Sequence, residues 1–128
     1  MTEPPEPSFD EETERGLARG FAEFNTGKFF ECHDTLEEIW QGTRGPARNF
    51  LQGLIQISVG FYHLGNRNVR GGVSQLERGL ANLAPYPARY AGMDLERLRG
   101  EVETWLARAR SGEALQAKVA DLPKYLRT

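Results

Sequence analysis

At 128 residues the chain has the length of one domain, long enough to bury a core without disulfides or metal. Apolar residues make up 39% of it, which excludes a disordered chain, and the formal net charge of −2 leaves no electrostatic footprint for nucleic acid. A lone cysteine, Cys32, excludes an internal disulfide and any multi-cysteine zinc motif. The first residues lack the apolar core of a signal peptide. The longest apolar stretch, residues 50–64, carries two Gln and one His and is too short and too polar to span a bilayer. The expectation is a soluble cytoplasmic protein with no membrane or nucleic-acid partner and no cofactor.

Residues 1–7, with three prolines and two glutamates, read as a flexible or loosely docked leader, and residues 8–128 as a single all-α domain. Ser8 opens the first helix, Glu11 completes a capping box, and Asp10, Glu11 and Glu12 suit the positive end of the helix dipole. Leu17, Phe21 and Phe24 repeat at helical spacing, and Asn25, Thr26 and Gly27 stop the helix. The second helix covers residues 28–40. Phe29, Cys32, Leu36, Ile39 and Trp40 share one face, His33 lies within it, and Glu37 sits at its margin.

Residues 42–45 form a loop, and Pro46 is placed for the first turn of a third helix over 46–64. That helix is apolar on most of its circumference, as expected of the central member of a bundle. Gly53 and Gly60 lie on one side of it, seven residues apart, where a neighbouring helix can approach closely. Asn68 caps a fourth helix with a stripe of Val73, Leu76, Leu80 and Leu83, ended by Pro85 and Pro87. Asp94 caps a fifth, with Leu95, Leu98, Val102, Trp105 and Leu106 facing inward, broken at Ser111 and Gly112. The tail, with Leu115, Val119, Leu122 and Leu126, predicts one short helix and a strap ended by Pro123. No segment shows the two-residue alternation of a strand. The pattern predicts a compact bundle of about five helices built from antiparallel helical hairpins.

These runs resemble a family of small prokaryotic helical proteins classed as a domain of unknown function, number 309. The matching residues are the runs 24–34 and 36–40, Gly45 with Pro46, the run 50–56 and the run 60–63. The pattern continues through 66–83 to Asp94 and Leu95, so the likeness covers about residues 15–106. The resemblance implies a compact α-helical domain and no activity, and it hands on no catalytic residue. A helix, a turn with Asn and Gly, and then an aromatic, acid-rich helix is also weakly similar to a tetratricopeptide unit, without two full periods.

Both histidines fall on polar stripes of helices expected to be largely buried. His33 and Glu37 stand one turn apart, so they share a face. Gln52, Gln56 and His63 fall within about 40° of one another on the third helix. Polar groups in such places need partners, so the five residues form either a structural hydrogen-bond network or a site. If the second and third helices pack antiparallel, His33 and Glu37 face Gln52 and Gln56.

Two functional readings follow. One is a binding or interaction module whose groove holds an unknown protein or small-molecule partner. The other is an enzyme using His33 and Glu37 as an acid–base pair. No metal is expected: His33 and His63 differ by roughly 15 Å along an antiparallel pair, too far to share one ion. Cys32 reads as an inert core thiol, Tyr62 as a core aromatic with a wet hydroxyl, and Trp40 and Trp105 as packing residues. No motif sets an oligomeric state.

Overall fold

The computed structural model describes residues 3–113 and 118–128. Among them run five α-helices: α1 (Glu11–Asn25), α2 (Phe29–Gly42), α3 (Ala47–Gly65), α4 (Val69–Leu83) and α5 (Leu95–Arg110). Two short strands, β1 (Arg89–Tyr90) and β2 (Met93–Asp94), pair antiparallel between α4 and α5. A 3-10 turn at Val119–Asp121 precedes an extended C-terminal strap. The architecture is the expected all-α bundle, and none of the described helices is long and apolar enough to cross a membrane.

Local rules set most of the helix ends. Asn68 accepts the Gly71 amide and Asp94 accepts the Arg97 amide, as side-chain caps do. At the end of α1 the Lys28 amide reaches back to the Glu23 carbonyl while Gly27 takes a φ of +81°, a conformation that favours glycine. The first helix departs from the Ser8 capping box: Asp10 is the cap, its carboxylate accepting the Thr13 amide at 2.7 Å. The residues before it are held elsewhere, with the Pro5 carbonyl accepting from the Tyr90 hydroxyl and the Glu6 carboxylate from the Ala91 amide.

Consecutive helices run antiparallel. Gly20 of α1 lies against Leu36 of α2, and Gly16 against Ile39. The tightest seam joins α3 and α4, where Gly53 and Gly60 face Gly72 and Gly79. A methyl group on Gly79 would stand 2.9 Å from the Gly53 carbonyl oxygen, and one on Gly72 would stand 3.1 Å from that of Gly60. The two glycines singled out on α3 are therefore met by two more on α4, and the backbones approach where side chains would hold them apart. The helix cost of glycine, about 1 kcal/mol each, is offset by that packing. The core gathers Leu17, Phe21 and Phe24 of α1, the apolar faces of α3 and Leu98, Val102, Trp105 and Leu106 of α5.

Two elements were not foreseen. Tyr90, Ala91, Gly92 and Met93 make a two-residue hairpin turn with positive φ at Ala91 and Gly92. Strands of two residues carry no alternation to read. The tail also differs. Leu115 lies outside the described residues, while Val119 and Leu126 are exposed, at 41% and 51%. Pro123 begins the strap rather than ending it, and the residue that enters the core is Tyr125. Its ring stacks on Phe24 at a centroid distance of 3.6 Å, and its backbone exchanges two hydrogen bonds with the Asn25 side chain. Arg127 then joins Glu14 at 2.6 Å.

Candidate functional site

Antiparallel packing of α2 on α3 sets the register of the polar stripes. Trp40 meets Arg48, whose guanidinium lies 3.8 Å from the indole centroid. Further along, Cys32 meets Ser58, and at the far end Phe30 meets Tyr62 at 5.4 Å between rings. Between these points α2 turns His33 and Glu37 outward, and α3 turns Gln52 and Gln56 beside them. Because α4 is drawn onto the glycine side of α3, it does not cover this face; it walls it.

The result is an open groove of about 410 Å³ between α2, α3 and α4. His33, Glu37, Gln52 and Gln56 line it together with Gln75 and Arg78 of α4, and Trp40, Ile55 and Val59 supply its apolar part. His33 Nε2 stands 2.8 Å from Glu37 Oε2, and Nδ1 stands 3.2 Å from Asp34 Oδ1. Asn82 of α4 donates its side-chain amide to Gln56 Oε1 at 2.6 Å. Gln75, Arg78 and Asn82 escaped the sequence reading. They are ordinary surface types on the polar side of an amphipathic helix, and nothing within α4 distinguishes them.

The polar stripe of α2 is not buried as its sequence pattern predicts. The side chains of His33 and Glu37 are 26% and 43% exposed, because no helix packs over them and water solvates the pair. His63 does not join the groove lining. It lies at the end of α3, where its carbonyl accepts the Asn68 amide and its ring nitrogen the Asn68 side chain. Tyr62 is likewise no core residue: at 38% exposure it packs on the exposed ring of Phe30.

The buried polar network lies on the other side of α2. Cys32 and Ser58 are both fully buried, with Sγ and Oγ 3.2 Å apart. Ser58 donates to the Leu54 carbonyl at 3.0 Å, and the Tyr125 hydroxyl donates to the same carbonyl at 2.7 Å. Burial pushes the Cys32 thiol up to about 12 and holds the Tyr125 phenol well above its ordinary range. Neither ionises near neutral pH, so Cys32 is the inert core thiol expected.

Residues 17–75 match the model of a family described as a domain of unknown function, DUF309. That is the family the sequence resembles. The match takes in the turn at Gly27, all of α2 and α3, and most of the groove, ending at Gln75. An uncharacterized protein of Aquifex aeolicus (strain VF5) is 25% identical over 96 residues. The aligned region is 74% of this chain and 29% of that relative, so the chain spans less than a third of the curated protein it matches. Neither match brings an activity to this chain. Chemically, the groove offers amides that donate and accept, one guanidinium, and a solvated imidazole–carboxylate pair beside an apolar surface. Among the described residues, no three His, Cys, Asp or Glu side chains converge as metal ligands.

Proposed function

We propose that this domain is a binding module and that its ligand lies in the groove between α2, α3 and α4. One observation carries the reading: side chains far apart in sequence, His33 and Glu37, Gln52 and Gln56, Gln75 and Arg78, converge on one open concavity with Trp40, Ile55 and Val59 between them. A concave surface with apolar contacts and a few convergent polar groups is what small-ligand sites share. The residues present suit recognition better than covalent chemistry, since the one thiol is buried behind α2 and no serine or lysine lines the groove.

The test is a fragment screen by protein-observed NMR. Groove binders shift the Trp40 indole and the Gln52 and Gln56 side-chain amides, and Val59→Trp, which fills the groove, abolishes those shifts without lowering the melting temperature. A library that leaves these resonances unmoved would sink the reading. The other reading, acid–base catalysis by His33 and Glu37, rests on their 2.8 Å contact in a solvent-accessible place. It requires a substrate whose turnover is lost in both His33→Gln and Glu37→Gln.

A further inference from the structure

We infer that the ligand of the groove carries a carboxylate on an apolar body, with Arg78 as its counter-charge; this rests on the groove being the binding site. Several arginines elsewhere in the fold have carboxylate partners: Arg97 holds Glu101, Arg108 holds Glu113, Arg110 holds Glu77 and Arg127 holds Glu14. Arg67, Arg70 and Arg78 have, among the described residues, neither a carboxylate within ion-pair distance nor a hydrogen-bond acceptor, and of these three it is Arg78 that lines the groove. Its neighbour Glu77 is turned away to Arg110 at 2.7 Å.

Beside Arg78, Gln56 presents its donor end to the groove. The oxygen of Gln56 is occupied by Asn82, which leaves the NH₂ of Gln56 to face a ligand. A guanidinium flanked by an amide NH₂ matches the planar, two-oxygen face of a carboxylate. The opposite wall sets the limit on charge. Glu37, with Asp34 behind His33, makes that side acidic and disfavours a second negative charge, so a monoanion fits and a phosphate dianion does not. The apolar part of the lining, Trp40, Ile55 and Val59, gives the body of the ligand a surface to lie on.

The probes are benzoate, benzamide of the same shape without the charge, and inorganic phosphate. Each is titrated into ¹⁵N-labelled full chain while the Trp40 indole and Gln56 side-chain signals are followed. Benzoate shifts both signals saturably, whereas benzamide and phosphate at equal concentration do not. Arg78→Gln weakens benzoate by roughly tenfold or more, the scale of losing charge-assisted hydrogen bonds. Arg78 is exposed and unpaired, so that variant keeps the wild-type melting temperature. Benzoate binding undiminished in Arg78→Gln, or matched by benzamide or phosphate, overturns the inference. Neutral fragments that occupy the groove while benzoate does not also overturn it, yet leave the groove as a binding site. If no probe or fragment moves these signals, both readings fall.

Discussion

Cys32 and His33 are neighbours in sequence, yet they end in opposite surroundings. The Cys32 side joins Ser58, Leu54 and Tyr125 in a sealed network from which water is excluded. The His33 side opens onto a groove where its partner Glu37 is 43% exposed. Adjacent residues on a helix point about 100° apart, and one such step separates core from solvent here. A polar side chain on a mostly apolar helix is thus no evidence of a buried network. What decides is which neighbour covers that face. The C-terminal strap covers the first; α4, drawn to the glycine side of α3, stops short of covering the second.

The sharpest contrast is in reactivity. A thiol moved from 9.0 to about 12 holds about a thousandfold less thiolate at pH 8. Cys32 therefore stays silent to a disulfide reagent in the native protein and reacts at the full rate in denaturant. Rapid labelling of the folded chain would break the comparison. Stability is the next measure. Tyr125→Ala removes a buried ring stacked on Phe24 and lowers unfolding stability by about 3–5 kcal/mol. Tyr125→Phe keeps the ring but removes a hydrogen bond to Leu54, costing about 1–2 kcal/mol. Denaturant midpoints read both.

Gly79→Ala acts between the two regions. Its added methyl meets the Gly53 carbonyl and Ile57 at 2.9 Å and 2.7 Å, for about 1–3 kcal/mol of destabilisation. It also pushes out the helix that carries Gln75, Arg78 and Asn82. Gly100→Ala is the control: nothing lies within 4 Å of that position, so alanine stabilises α5 by about 0.5–1 kcal/mol. Equal melting shifts in the two variants would mean that the α3–α4 seam is not tight. The smallest effect belongs to His33→Ala. A solvated pair one helical turn apart contributes about 0.5 kcal/mol or less. A loss of 2 kcal/mol in thermal unfolding would return His33 to the buried network that the sequence alone suggested.

The sequence by itself determined what is decided within one or two helical turns. Asn68 and Asp94 cap helices because a short acceptor meets an amide three residues on. Gly27 ends α1 because the turn needs positive φ. His33 and Glu37 share a face because of the helical period, and paired glycines on α3 already signalled a close neighbour. Tertiary structure decided what depends on distant parts of the chain. Gln56 finds Asn82 across 26 residues, the Tyr125 hydroxyl finds the Leu54 carbonyl across 71, and the strap finds Asn25 across 100. No periodicity encodes those meetings. Whether a polar face is sealed or open depends on the apolar area that competing elements can bury elsewhere. The strap buries Tyr125 against Phe24, and α4 buries Leu76 and Leu83 against the α3 glycines. The groove is the face that remained uncovered.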